Sequence, residues 1–267
     1  MTVLIENVGK ATVNLLDYAG GLTVQLWAGP RALGTTLPIS GSRLRWKSSV
    51  GQMLQIGVDA LPMVGLMSIC AGFILAMQGA SELKRFGAIR YVIDLVAVGF
   101  TRELGPLLTA IAVSGRSGSA FSAEIGTMKV TEEIDALRVM AFDPIEFVLA
   151  PKFLAALIMI PCLSIFANVC GILAGWIFMF FSTHLGFGLY VRYALDSIEI
   201  HDVIGGLIKS LAFATIIVQV GCLEGFRVRG GPEAVGRSTT AAVVKATFLV
   251  IVADVIFTAI FYFTGVS

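Results

Sequence analysis

Charged residues are scarce in this 267-residue chain, and that scarcity is the first constraint on what the chain can be. Only 14% of its residues are charged and 57% are hydrophobic, and its mean hydropathy is +0.88. A soluble domain carries about 25% charged and about 45 to 50% apolar residues. The composition therefore predicts an integral membrane protein. The formal net charge of +1 gives no reason to expect a nucleic acid partner.

Cysteine and histidine are also few, and their spacing argues against disulfide or metal chemistry. The cysteines all lie in apolar segments and share no CxxC spacing: Cys70, Cys162, Cys170 and Cys222. We interpret them as packing residues. His184 and His201 form neither an HxxxH nor an HExxH pattern, so no metal site is predicted.

Motifs for nucleotide hydrolysis and for nucleophilic catalysis are missing as well. The nearest match to the phosphate-binding GxxxxGKS/T pattern, residues 206–210, ends in Lys-Ser but has no glycine before the lysine. Residues 115–119 end in serine where a GxSxG nucleophile elbow needs glycine. We therefore expect a transport subunit and not an enzyme. It would need no cofactor of its own, and any ATP and Mg would bind a separate polypeptide.

What the chain does contain is a set of five apolar segments, each long enough for a membrane crossing of about 20 residues. They run at about Val50–Ala80, Tyr91–Phe121, Phe153–Thr183, Val203–Leu223 and Val243–Phe263. The predicted fold class is an all-α integral membrane protein with five transmembrane helices. We divide the chain into an N-terminal segment, residues 1–47, and a five-span membrane domain, residues 48–267.

The N-terminal segment repeats apolar residues at helical spacing, with polar residues off that stripe. The stripe is formed by Leu4, Val8, Ala11, Leu15, Leu22 and Leu26. This pattern predicts an amphipathic helix that lies at the membrane interface. A helix packed against the bundle is the alternative, and Gly20-Gly21 weakens any long helix here.

Lysine and arginine are divided unevenly between the two sides that five crossings define. Thirteen of the 19 fall on the N-terminal side, in the N-terminal segment and around the loops after the second and fourth spans. Cytoplasmic loops carry the excess of Lys and Arg in membrane proteins. We therefore expect the N-terminus in the cytoplasm and the C-terminus outside it.

Several charged residues lie inside the apolar segments, where they are costly. Arg102 and Glu103 are adjacent within the second segment, and each costs about 2.5 to 3.5 kcal/mol at bilayer depth on insertion scales. Helix rise places Lys209 and Asp254 at a similar depth. We expect Lys209 to pair with Glu103 or Asp254, because a buried lysine needs a carboxylate or water. The plainer interpretation is an ion-pair lock between spans that contacts no ligand.

The connection between the second and third spans, residues 116–152, is rich in charge. It predicts a short amphipathic helix that begins near Thr131-Glu132-Glu133 and is stopped by Asp143-Pro144. A partner subunit, the membrane surface and the underside of the chain's own bundle are all candidates to cover its apolar face. That face is formed by Val130, Ile134, Leu137 and Ala141.

Several blocks of this region occur in an order and at a spacing that resemble one known family. The blocks are Arg102–Pro106, Ser114–Ala120, Ala123–Glu133, Asp143-Pro144 and Ala150–Lys152. Together they resemble the MlaE/YrbE permeases, the membrane subunits of Mce-type ABC phospholipid transporters. The likeness extends from about Val50 to Phe263.

The resemblance implies a homodimer in the cell inner membrane, whose two copies enclose a phospholipid-binding cavity. An ABC ATPase subunit would bind the cytoplasmic side, and a ring of Mce-domain proteins would meet the periplasmic side, where the C-terminus lies. Phospholipids would move between the inner membrane and that ring, serving outer-membrane lipid homeostasis. The expected cavity residues are Gln78, Arg102, Glu103, Lys209 and Asp254, with Arg102 toward the lipid phosphate. The expected ATPase-coupling residues are Glu124, Met128, Glu132, Glu133, Ile134, Leu137 and Asp143.

Two other classes of function remain open at this point. An ion-coupled secondary transporter would use Glu103 and Asp254 as proton carriers, but such carriers usually show internal repeats and broken helices, which five spans with one large loop do not clearly show. A purely structural membrane anchor would bind neither lipid nor substrate.

Overall fold

The structure is a computed structural model that describes residues 13, 16–18, 20–25 and 43–264. Within these residues it contains helices and no strand, so the all-α prediction is confirmed. Five helices are long and apolar enough to cross a membrane, as predicted: Ser48–Phe86, Tyr91–Val130, Phe147–Thr183, Ile200–Phe226 and Pro232–Thr264. We call them spans 1 to 5.

The bundle has two distinct ends. The end that carries the short helix Glu133–Val139, between spans 2 and 3, is called the loop-helix end. The opposite end carries the helix Phe187–Ser197, between spans 3 and 4. Tyr190 of that helix is buried and its hydroxyl donates to the carbonyl of Ile172 at 3.1 Å. Burial raises the pKa of Tyr190, so its hydroxyl remains a donor at neutral pH.

Span 3 continues a longer helix, Pro144–Thr183, whose start differs from the sequence expectation. Asp143 and Pro144 were expected to stop the loop helix, but that helix already ends at Val139. Asp143 instead caps the next helix, because its Oδ1 accepts the Ile145 N–H at 2.9 Å, and Pro144 occupies the first turn, where no N–H is needed.

Span 2 is the centre of the bundle, since it packs against each of the other four spans. Span 3 packs against spans 1, 2 and 4, and span 4 also packs against spans 2 and 5. Their shared core includes Ala167, Phe213 and Ile217. Span 5 is different, since only 11% of its most apolar window is buried, against 56% in spans 2 and 4. One side of span 5 is therefore uncovered in a single chain.

The described part of the N-terminal segment contacts the membrane domain. Arg227, at the end of span 4, donates to the Asp17 carboxylate at 3.0 Å and lies over the Tyr18 ring. Leu22 lines an apolar groove with residues of spans 4 and 5. These contacts favour the alternative of a helix packed on the bundle. The other predicted stripe residues, Leu4, Val8, Ala11, Leu15 and Leu26, lie outside the described residues, and the division at residue 47 stays a prediction.

Candidate functional site

The candidate site begins in span 2, where the helix is locally widened. Phe100–Leu104 forms a π-helical turn, and the Gly105 N–H bonds to the Phe100 carbonyl five residues earlier. Pro106 disturbs a regular α-helix here, because it has no N–H to donate and its ring would press on the carbonyl four residues before it. Arg102 and Glu103 both lie in the widened turn. Such turns are frequent at functional sites.

Lys209 of span 4 is the centre of the site. Its side chain is fully buried, with 0% exposed, and its Nζ donates to a Glu103 carboxylate oxygen. The same nitrogen donates to Asp254 Oδ1 at 3.0 Å and to Thr258 Oγ1 at 2.8 Å. An ammonium group has three hydrogen atoms to donate, and each has an acceptor here. We expected one carboxylate partner, and the structure brings both to the lysine.

Lys209, Glu103, Asp254 and Thr258 together form what we call the Lys209 cluster. Its charges do not cancel. One ammonium faces two carboxylates, Glu103 and Asp254, that come from different spans. The Glu103 side chain is 30% exposed and that of Asp254 is 14% exposed, so Glu103 is the more open of the two carboxylates. Glu103 also has a neutral partner. The Thr258 Oγ1 lies 3.2 and 3.3 Å from its two carboxylate oxygens.

Arg102 points to a different neighbour. Its Nη1 lies 3.8 Å from Asp202 Oδ1, which is an ion pair but too long for a hydrogen bond. Asp202 is nearly buried because it completes the start of span 4, where its Oδ2 accepts the Glu199 N–H at 3.1 Å. The guanidinium of Arg102 therefore keeps most of its donors free for another acceptor.

A groove opens beside these groups, with a volume of about 260 Å³. Its lining joins charged groups to aromatic rings: Arg102, Glu103, Thr258, Phe261 and Tyr262. Pockets that enclose a drug-sized ligand measure about 300 to 1,000 Å³. This groove thus has room for a polar head group, and the rest of a lipid would lie outside it.

The loop helix, Glu133–Val139, corrects part of the expected coupling surface. Ile134 is 1% exposed and Leu137 is 9% exposed, and both belong to the core that also contains Phe121 and Val148. Of the three candidates to cover that apolar face, the chain's own bundle is the one the structure supports. Ile134 and Leu137 therefore cannot form a direct contact with a partner subunit.

The other predicted coupling residues near the loop helix differ in their surroundings. Glu132 and Glu133 are exposed, and Glu132 has a left-handed backbone that starts the loop helix. Met128 is half-buried against the core. Glu124 forms an ion pair with Lys152 at 2.7 Å, and Lys152 is 2% exposed. This pair joins the end of span 2 to the start of span 3 across the loop.

Comparison with known proteins identifies the family. The sequence model of the family described as "Permease MlaE" matches residues 49–260. The chain belongs to the MlaE permease family. It is 36% identical to the Haemophilus influenzae protein named "Intermembrane phospholipid transport system permease protein MlaE", over 262 residues that cover 98% of each chain.

Other relatives of this MlaE-family permease come from distant organisms. A Rickettsia bellii protein named "Probable ABC transporter permease protein" is 32% identical over 259 residues, which cover 97% of this chain and 98% of that one. The Arabidopsis thaliana protein "TRIGALACTOSYLDIACYLGLYCEROL 1, chloroplastic" is 32% identical over 246 residues, or 91% of this chain and 68% of that one. The resemblance seen in the sequence blocks is thereby confirmed.

Gln78 is the one predicted cavity residue of this MlaE-family chain that stands apart. Its side chain is exposed near the end of span 1, and no hydrogen bond or ion pair joins it to the Lys209 cluster among the described residues. The structure therefore brings together Arg102, Glu103, Lys209 and Asp254 but does not link Gln78 to them.

Sequence reasoning missed three features of the site. Thr258 lies four residues after Asp254, one helical turn away, so the spacing was a usable signal. Asp202 faces Arg102 only because spans 2 and 4 pack together, which no local pattern reveals. At the end of the loop helix and just after it, the chain exposes apolar side chains, and their run in the sequence was the available signal: Val139, Met140 and Phe142.

Proposed function

We propose that this chain is the membrane-spanning permease subunit of an ABC transporter that moves phospholipids between the inner membrane and an outer Mce-domain partner. Membership of the MlaE permease family and the printed name of the Haemophilus influenzae relative support this class of activity. The observation that carries the proposal at residue level is the Lys209 cluster, in which an excess carboxylate and the free donors of Arg102 border one groove.

The head group binds in this groove. Arg102 donates to the lipid phosphate, since a planar guanidinium matches two phosphate oxygens. The acyl chains extend over the apolar surface of span 5, which includes Ile256 and Ile260. A second copy of the chain covers the opposite side of the lipid, because one copy leaves span 5 uncovered and its groove is too small for the whole molecule.

An ABC ATPase subunit, which supplies ATP and Mg, binds at the loop-helix end. This end faces the cytoplasm, where the excess of lysine and arginine belongs. The N-terminus is then cytoplasmic and the C-terminus periplasmic, where the Mce-domain ring binds. Glu132 and Glu133 contact the ATPase directly, together with the exposed apolar residues Val139 and Phe142. Ile134 and Leu137 transmit the motion inward, because they are packed in the bundle core.

The test is charge reversal in the reconstituted complex, with lipid transfer measured and bound lipid identified by mass spectrometry. Glu103→Lys sets a second ammonium group against Lys209 and so breaks the cluster beside the groove, and we expect loss of both bound lipid and transfer. The matched control is Glu82→Lys, which reverses a surface carboxylate paired only with Arg85. The control should transfer lipid normally.

Three outcomes would contradict parts of the proposal. Unchanged transfer and retained lipid in Glu103→Lys would remove Glu103 from the site. Purification of the unmodified complex without an ATPase would argue against the ABC assignment. Transport by the isolated chain under a proton gradient would instead support an ion-coupled carrier that uses Glu103 and Asp254.

A further inference from the structure

Asn168 of span 3 contacts the widened turn of span 2 from outside that helix. Its side-chain amide, with the nitrogen toward span 2, donates to the carbonyl of Phe100 at 2.9 Å and to the carbonyl of Ser164 at 3.3 Å. Phe100 is the residue whose carbonyl also accepts the Gly105 N–H and so closes the π-helical turn. Asn168 therefore binds the one carbonyl that defines the register of this turn.

The surrounding contacts leave this turn little room to move. A β-carbon built on Gly105 would lie 1.7 Å from the Asn168 amide, so only glycine lets that amide reach the Phe100 carbonyl. On the other side, a β-carbon on Gly206 of span 4 would lie 2.2 Å from the Thr101 carbonyl oxygen. Span 3 thus contacts the turn at the Phe100 carbonyl, and span 4 contacts it at the next carbonyl, that of Thr101. The contact from Asn168 is a hydrogen bond that its amide donates, whereas the contact from Gly206 is close packing.

The register of the turn decides where the charged pair points. Neighbouring residues of an α-helix are rotated by about 100°, because the helix has about 3.6 residues per turn. A π-helical turn contains one residue more than the α-helical turn that it replaces. Loss of the widened turn would therefore rotate Glu103 relative to the first half of span 2, away from Lys209 and Thr258.

We propose that Asn168 is a positioning residue that holds the π-helical register of span 2 and thereby directs Glu103 toward the Lys209 cluster. The role in transport rests on the function proposed above, but the geometric claim does not. It has its own readout, the proximity of positions 103 and 258, which requires neither lipid nor ATP.

The experiment crosslinks two cysteine pairs in the full chain, in membranes, with the four native cysteines replaced by alanine. Glu103→Cys with Thr258→Cys reports the register, since these side chains approach to 3.2 Å. Asp94→Cys with Ser197→Cys reports the packing of the first half of span 2, which precedes the turn, since the Ser197 hydroxyl donates to the Asp94 carboxylate. A short bifunctional methanethiosulfonate joins each pair.

Asn168→Leu removes the donor at similar volume, and Asn168→Ala removes it without adding bulk. In both we expect the 103–258 crosslink to fall about twofold, because loss of one buried hydrogen bond can shift the balance between the two registers by up to about tenfold, while the 94–197 crosslink is unchanged. Ser164→Ala is the matched control, because Ser164 is a buried polar residue one turn away that bonds only within its own helix. It should change neither crosslink.

An unchanged 103–258 crosslink in both Asn168 variants would overturn the proposal. A parallel loss of both crosslinks would also overturn it, since Asn168 would then serve folding in general. A lost 103–258 crosslink with normal lipid transfer would uphold the positioning role and count against Glu103 in the proposed lipid site.

Discussion

Lys209 and Lys152 are both buried lysines, and they differ in how their charge is balanced. Lys152 has one carboxylate, Glu124, and also lies 5.5 Å from the centre of the Phe121 ring. Lys209 has two carboxylates and a hydroxyl, and two of these partners, Glu103 and Thr258, line a groove. A lysine matched by one carboxylate is a lock between helices. A lysine with a surplus carboxylate beside an open groove leaves a negative charge that is not compensated within the chain, which is why we place the polar head group of the lipid beside Glu103.

The largest expected effect comes from removing the lysine of the unbalanced cluster. Lys209→Met leaves Glu103 and Asp254 close together with no cation between them. We expect it to lower the free energy of unfolding by about 3 to 5 kcal/mol, the range for breaking a buried ion pair. Thermal unfolding of the detergent-solubilised chain measures this. Wild-type stability in Lys209→Met would contradict a buried, charged cluster.

A slightly smaller loss of stability is expected when the carboxylate of the balanced Glu124–Lys152 pair is replaced. Glu124→Gln leaves Lys152 buried without a carboxylate, and we expect about 3 kcal/mol of destabilisation. Bound lipid, normalised to folded protein, should not change, because Lys152 lies at the loop-helix end and away from the groove. Mass spectrometry of the purified variant checks this. Loss of lipid without loss of stability would reverse the comparison between the two lysines.

Removing one carboxylate from the unbalanced cluster should cost little stability. In Glu103→Gln the lysine keeps Asp254 and Thr258, so we expect about 1 kcal/mol, the net value of one hydrogen bond. Lipid retention should nevertheless fall strongly. Glu124→Gln should thus lower stability but not lipid binding, and Glu103→Gln should lower lipid binding with little effect on stability. Equal destabilisation by Glu103→Gln and Glu124→Gln would remove the distinction on which the site assignment depends.

The smallest effect on folding is expected at the exposed end of the loop helix. Val139 is 89% exposed, so Val139→Ser should change stability by less than about 0.5 kcal/mol, as surface substitutions usually do. Copurification of the ATPase should fall, because an exposed apolar contact would be lost. Ala136→Ser, an exposed position on the same helix, is the control. Equal ATPase recovery in both variants would exclude Val139 from the contact.

The sequence was sufficient for the parts of the fold that depend on a simple physical rule. Five apolar segments had to cross the membrane, and the depth of each charge followed from helix rise, so the meeting of Lys209 with Glu103 and Asp254 could be expected. The pairing of Arg102 with Asp202 could not be expected, because this pairing depends on how spans 2 and 4 pack. The same holds for Glu124 and Lys152, whose pairing requires the loop to fold back on itself.

The loop helix shows why amphipathicity alone was ambiguous. Its apolar stripe correctly identified Ile134 and Leu137 as residues in need of cover, but the stripe does not reveal whether the cover is internal or supplied by a partner. The widened turn in span 2 was hidden for another reason. Pro106 indicates a disturbance one turn earlier, yet a kink and an extra residue are both ways to relieve it.

The Glu124–Lys152 bond has a mechanical consequence. It ties the last turns of span 2 to the first turns of span 3, so the segment between them is a hairpin closed at its base. Through this bond, a load applied at the tip of the hairpin reaches both helices. Glu103 lies along the same helix about 30 Å from that base, at about 1.5 Å per residue, where a small tilt becomes a sideways displacement.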